Sequence, residues 1–242
     1  NAETGRYEPG EQYYFDSYFT EMALEGLRRR DTTKPLLLNA MFLAPHPPLQ
    51  IPDPWYRAVG AEDFALPDNI GVYYPRQSPL QMYNLTGIVG TRYGREHWKE
   101  AWRVYLGLVR MLDHCVGRVL EELKRQGIYD DSLILFTSDH GEMLGDHYMS
   151  QKNLFFEGSA HVPFILVPPA GRAIPHNNQV DGVITLADVF PTILAMAGLT
   201  PPEDGSGENL LPFLSGKGQK EKIFYGDSLH TNFCVMEDRK KL

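Results

Sequence analysis

The sequence predicts an α/β fold: a mostly parallel sheet flanked by helices on both faces, followed by the start of a small C-terminal sheet. Three observations predict it. Apolar runs at Leu36–Leu43, Leu133–Thr137 and Pro163–Val167 do not alternate, which is the pattern of strands buried on both faces. Helical periodicities separate the strands, the longest running from about Arg95 to Gln126. The length, 242 residues with 43% hydrophobic and 22% charged, suits one large domain or two small ones.

The elements follow in order. The first dozen residues are polar and irregular. Asp16 can cap a helix over Ser17–Arg30, with Phe19, Met22, Ala23 and Leu27 on one face and three arginines near its end, where the dipole favours cations. The strand Leu36–Leu43 leads straight into Ala44-Pro45-His46-Pro47-Pro48. Residues 44–90 are rich in Pro, Gly, Asp and aromatics with no lasting period, and long excursions of this kind are often functional. In the long helix, Trp98, Trp102, Tyr105, Leu106, Val109, Leu112, Val116, Val119, Leu120 and Leu123 recur at steps of three and four, and Gly127 ends it. After the second and third strands, Thr185 or Asp188 opens a helix that reaches about Ala197. Lys222–Tyr225 and Phe233–Met236 read as short strands of the smaller sheet. The division expected is residues 1–218 and 219–242.

The charge balance excludes some functions. Lys plus Arg is 23 against 31 Asp plus Glu, a formal net charge of −8, so the chain lacks the basic face that wraps nucleic acid. No apolar run approaches the ~20 residues of a membrane-spanning helix. Cys115 and Cys234 are too few for a disulfide framework. The chain opens on Asn1 without a leader and stops at Arg239-Lys240-Lys241-Leu242, so both ends read as cut from a longer protein.

The densest chemistry lies in Thr137-Ser138-Asp139-His140-Gly141-Glu142-Met143-Leu144-Gly145-Asp146-His147, with Lys152 behind it. Asp139 and His140 stand at the carboxyl end of a strand, where ligands of open α/β sheets bind, and Gly141 permits the turn. One carboxylate and one imidazole there are half a metal site, or a capped turn with a surface pair. Lys152 can meet an oxyanion as a compact point charge, or face solvent. His46, between prolines, can donate to a substrate oxygen or act as a general acid, or be an ordinary loop histidine. Glu157 suits capping of amides or holding Lys152, and His161 a structural role. His97, His114, His176 and His230 gain no role from spacing, and Asp113 suits a structural hydrogen bond. Trp98 and Trp102 are core at helical spacing, Trp55 and Tyr56 are loop anchors or flank a substrate, and Asn84-Leu85-Thr86 matches a glycosylation sequon.

The block from Thr137 to His147, with Lys152 and then Phe156-Glu157-Gly158-Ser159-Ala160-His161-Val162-Pro163-Phe164, resembles the C-terminal half of the catalytic domain of type I sulfatases, members of the alkaline phosphatase superfamily. The flavours it is most similar to are iduronate-sulfate and choline-sulfate sulfatases. Leu36–Leu43 with Ala44–Pro48, Met111–Leu120, and Leu186–Leu194 with Ala197-Gly198-Leu199 agree in order and spacing, so the resemblance spans about residues 12 to 225. It implies an alkaline phosphatase-like fold. Asp139 and His140 would be two ligands of a divalent ion, usually Ca in this family, with Mg or Mn also suited. Lys152 would bind a sulfate oxygen and serve catalysis, His46 would line the substrate pocket and serve the leaving alcohol, and His147 would stand near the substrate.

The resemblance also marks a departure. Sulfatases use a formylglycine made from Cys or Ser inside Cys/Ser-x-Pro-x-Arg. Neither Cys115 nor Cys234 has that context, Ser78-Pro79 lacks the arginine, and the family's N-terminal aspartate pair is missing. The expected function is metal-assisted hydrolysis of a sulfate ester of a sugar or small molecule, with the nucleophile supplied by a segment outside this chain or by a companion chain. The alternatives are a phosphonate monoester or phosphodiester hydrolase of the same superfamily, and a non-catalytic sulfatase-like binding protein. A periplasmic, secreted or lysosomal location would suit the family.

Overall fold

The computed structural model describes residues 4–73, 76–77, 85–175, 179–202, 205–216, 223–228, 232–237 and 240–241. Asn84, Ser78, Pro79, His176 and His230 lie outside them. The chain divides into two units: residues 1–129 with 142–152, and residues 130–141 with 153–242.

The first unit is organised around one long helix. It contains β1 (Thr4–Arg6), α1 (Phe15–Arg29), β2 (Leu49–Ile51), α2 (Leu85–Gly90) and α3 (Arg95–Arg125). β1 and β2 pair in parallel, Thr4 opposite Leu49 and Arg6 opposite Ile51. The buried stripe of α3 is Trp98, Ala101, Val104, Leu108, Met111, Cys115 and Val119, and all but Val119 join Tyr14, Leu49, Ile51, Ile70 and Leu144 in the core. The steps of three and four are those of one helical face. Val109, expected on that face, is 41% exposed, because the true stripe is carried partly by small residues that apolar periodicity undercounts. Trp55 is a core anchor: its indole donates to Glu11 Oε1 at 3.0 Å.

Two sequence expectations about α1 change. Its N-cap is Tyr14 and makes no side-chain cap, while Asp16 lies inside the first turn, fully buried, bonding to a distant loop. Met22 is exposed, whereas Ala23, Leu24 and Leu27 are buried. The segment Leu36–Leu43 belongs to no strand, and Leu37 and Met41 are 83% and 72% exposed. A strand needs a hydrogen-bonded neighbour, and among the described residues none pairs with this segment.

The second unit holds β3 (Ile134–Thr137), α4 (Glu157–Ala160), β4 (Phe164–Val167), α5 (Val189–Met196), α6 (Leu211–Leu214), β5 (Ile223–Ser228), β6 (Asn232–Glu237) and β7 (Lys240–Lys241). β3 and β4 pair antiparallel, Ile134 opposite Val167 and Thr137 opposite Phe164, where a parallel relation was expected. Nor are the two strands buried on both faces as expected: β3 is half-buried throughout and Ile165 of β4 is 55% exposed, and an apolar run is silent on the direction of a partner. β5, β6 and β7 form the expected small sheet, antiparallel throughout. No helix among the described residues is long and apolar enough to cross a membrane.

Both residues proposed to open α5 take part. Thr185 and Asp188 form a reciprocal capping box around the turn Leu186–Asp188. The buried Asp188 carboxylate accepts from Thr185 N at 2.9 Å and, through its other oxygen, from Glu208 N at 2.8 Å. Asp188→Ala orphans two backbone donors, so it is expected to cost about 2–3 kcal/mol in denaturant unfolding. A cost near zero would show that the box is ornamental.

Candidate active site

The segment 142–152 is a tight loop of the first unit, tied to itself by backbone bonds Met143 N to Gln151 O, Gly145 N to Met149 O and Met149 N to Asp146 O, all 2.8 Å. Gly145 has φ +90°, and a Cβ there would lie 2.5 Å from the Trp98 ring, so only glycine lets the loop close against α3. Leu144, His147, Tyr148 and Gln151 all have left-handed backbones, with φ of 45°, 51°, 61° and 70°. Such residues persist where their surroundings over-determine them, and they concentrate at functional sites.

This loop brings Lys152 to His46. The distance from Lys152 Nζ to His46 Nε2 is 2.6 Å, across 106 residues of sequence. His46 Nδ1 lies 2.6 Å from Pro47 O, and a carbonyl only accepts, so Nδ1 carries a proton. Nε2 then accepts from the lysine ammonium. The ring is thereby held in one tautomer, with its reactive nitrogen turned to a cation.

Beneath the pair lies Glu142, a buried carboxylate that spacing did not single out. Its Oε1 accepts from Leu144 N at 3.2 Å and from Gln151 N. Burial pushes its carboxyl above the usual range, opposed by those two amides and by the charges of Lys152 and His46. Glu142 Oε2 and Trp98 Nε1 are both buried without a hydrogen-bond partner among the described residues. Both residues line one cavity of about 10 Å³, a volume that fits a single bridging water. The signal in the sequence was the Glu following Asp-His-Gly, which carried no meaning until the loop was seen to close around it.

His147 is largely buried beside Asp146, 3.3 Å from its carboxylate. Asn69 donates to the same carboxylate, and Gln77 Nε2 donates to His147 O at 3.3 Å. Burial raises the Asp146 carboxyl against the opposing pull of His147. His97 stacks on Tyr93 with centroids 4.0 Å apart, and burial lowers its pKa.

Asp139 and His140 belong to the second unit. His140 Nδ1 is 2.8 Å from Gly141 O, so that nitrogen donates and Nε2 is the basic one. Nε2 lies 3.5 Å from Asp139 Oδ2, and the Asp139 side chain is 83% exposed. An outward carboxylate and an imidazole oriented by a backbone carbonyl are donors a divalent cation takes. Among the described residues no group of three or more His, Cys, Asp or Glu closes a metal site.

Gly141 serves this corner by close approach rather than by a left-handed turn. Its N–H donates to Ser159 O at 2.8 Å, and a Cβ would sit 2.1 Å from Gly158 O. Gly141→Ala is expected to destabilise by about 3 kcal/mol, at the upper end of ordinary overpacking, read as a lower Tm. An unchanged Tm would mean the two segments part without cost. Glu157 pairs with Lys241 and, at 3.0 Å, with His161.

The solved phosphonate monoester hydrolase of Agrobacterium radiobacter matches 100% of this chain and 54% of its own, with a TM-score of 0.80 and 26% identity. The class is therefore the α/β fold of alkaline phosphatase-like hydrolases. The family model "Sulfatase" matches residues 1–199, and the chain belongs to the sulfatase family. An arylsulfatase of Clostridium perfringens is 31% identical over 217 residues, covering 89% of this chain and 44% of that protein. A multifunctional alkaline phosphatase superfamily protein of Trinickia caryophylli is 34% identical over 215 residues, covering 82% and 41%. The chain thus spans less than half the length of these curated relatives.

Proposed function

We propose that this chain supplies the anion-binding and leaving-group side of a sulfate-ester hydrolase, together with two ligands of its divalent metal. The observation that carries the reading is the 2.6 Å contact between Lys152 and His46. A cation on a loop held in left-handed conformations, set against an imidazole of fixed tautomer, forms a preorganised receptor for an ester anion. Lys152 neutralises charge growing on the SO3 oxygens. When the anion draws the ammonium toward itself, His46 Nε2 is freed to take a proton from solvent, and as the S–O bond breaks it delivers that proton to the leaving oxygen and returns to the neutral Nδ1–H form, while Lys152 keeps its charge. His147 shapes the pocket from the same loop.

Asp139 Oδ2 and His140 Nε2 would hold the metal, with further ligands from outside this chain. A bound divalent cation supplies charge to the ester oxygens and acidifies the nucleophile. The donor set of one carboxylate and one imidazole suits Ca, Mg or Mn. The nucleophile, a formylglycine in this family's pattern, also comes from outside these residues. The substrate is a sulfated carbohydrate or small molecule.

A second reading, a phosphonate monoester or phosphodiester hydrolase, is favoured by the Agrobacterium radiobacter likeness over the whole chain. A panel of 4-nitrophenyl sulfate, phenylphosphonate monoester and phosphate diester, run on the intact enzyme, separates the two. Sulfate should give the highest kcat/KM. Preference for the phosphonate would replace the first reading with the second.

A further inference from the structure

We propose that Asp16 is a positioning residue for His46: its buried carboxylate clamps the turn that carries the imidazole. The inference rests on the leaving-group role proposed for His46.

Asp16 is fully buried and is not the N-cap of its helix, a place held by Tyr14; besides its own amide, its carboxylate serves a distant turn. One oxygen, Oδ1, accepts from Leu43 N at 2.8 Å and from Ala44 N at 3.1 Å. Those two amides lie immediately before the Pro45-His46-Pro47 segment. His46 N donates back to Leu43 O at 2.9 Å, closing a turn directly over the clamped residues. Proline on both sides of His46 removes most of the remaining backbone freedom. The rotation of the ring is fixed by Pro47 O, which accepts from Nδ1. The position of Nε2 is therefore set by a nearly rigid path that begins at the Asp16 carboxylate.

A carboxylate is an expensive way to hold a loop. The second oxygen, Oδ2, is buried with no hydrogen-bond partner among the described residues. Burial raises the carboxyl's pKa, and the Leu43 and Ala44 amides only partly oppose it. A tether needed for stability alone could use an apolar contact at lower desolvation cost. Two donors converging on one oxygen fix direction as well as distance, which a general acid needs.

The test uses the intact enzyme and two esters, 4-nitrophenyl and phenyl, whose leaving groups differ in their need for a proton. Asp16→Ala should lower kcat on the phenyl ester by about 100-fold, the effect of misplacing a catalytic group by about 1 Å. KM should move by less than about threefold, and the 4-nitrophenyl ester should lose less than about fivefold, because a good leaving group needs little acid. His46→Ala should show the same selectivity, and the double variant should be no worse than His46→Ala, since the two act through one group. Asp16→Asn keeps an accepting oxygen and should restore the phenyl ester to within about threefold of the parent, by the geometry of the clamp.

Equal losses on both esters, or additive losses in the double variant, would overturn the inference. If His46→Ala is itself indifferent to the leaving group, the proposed role of His46 fails instead. One measurement does not depend on the variants folding. In the parent enzyme the amides of Leu43 and Ala44 should exchange with deuterium at least about 100-fold more slowly than open-loop amides. Free exchange at both would also overturn the clamp.

Discussion

Lys152→Ala lowers kcat/KM for the sulfate ester by about 10²–10³-fold in the intact enzyme, the usual cost of removing one preorganised donor to transition-state charge. The expectation follows from placement. Lys152 sits at the end of a loop that four left-handed residues hold tightly, and its ammonium touches the imidazole at 2.6 Å. A lysine in that place cannot be replaced by water without losing both charge and direction. Lys152→Arg should recover little, because a planar fork does not occupy the site of a compact ammonium. Steady-state kinetics with 4-nitrophenyl sulfate decides the matter, and near-normal turnover in the alanine variant would remove Lys152 from the site. The folded state is monitored separately by Tm, which should shift little for a side chain at a site surface.

Asp139→Ala and His140→Ala are expected to weaken binding of the divalent metal by more than about 100-fold, beyond the cost of losing an outer partner of a ligand. The readout is metal content after dialysis, by elemental mass spectrometry, with activity as a second measure. The two side chains already converge, 3.5 Å apart, and Gly141 O holds the imidazole with its basic nitrogen toward the carboxylate. Metal retained at the parent stoichiometry in both variants would leave them as a surface pair. Chelation of the parent enzyme should abolish activity and lower Tm, since a ligand of the folded state stabilises it by mass action. Restoration by Ca, Mg and Mn in turn identifies the ion.

Much of the first unit was legible in the residues. The long helix is recognisable because Trp98, Trp102, Tyr105, Leu106, Val109, Leu112, Val116, Val119, Leu120 and Leu123 recur at steps of three and four, although of these only Trp98, Val119 and Leu123 are buried. The Thr185–Asp188 box is likewise local: both partners lie within four residues. Local chemistry of this kind can be read without knowing the fold. Leu36–Leu43 shows the opposite case. Its composition states a demand for burial, but burial is granted by neighbours, and the described residues provide none as a paired strand. The antiparallel relation of β3 and β4 was illegible for the same reason, as side-chain patterns record which face is wet and not which way a partner runs.

The candidate site divides along the same line. Asp139, His140, Lys152 and His46 stand out by motif and by resemblance, because reactive side chains at the ends of predicted strands are visible in one dimension. Asp16 and Glu142 do not. Asp16 reads as a helix cap, and only the fold reveals that its carboxylate reaches residues 43 and 44, 27 and 28 positions away. Glu142 reads as one more polar residue until the loop wraps it among Leu144, Gln151 and Trp98.

By itself the sequence determined the long helix, the Thr185–Asp188 capping box and the family, and it named the residues proposed for the reaction, since each depends on neighbours in the chain. Tertiary structure decided which strands pair and in which direction, which nitrogen of His46 faces Lys152, and which buried carboxylates stand behind them. Those are set by contacts between residues tens to a hundred positions apart, where hydrogen-bond direction and exclusion of water act, and neither leaves a trace in local spacing.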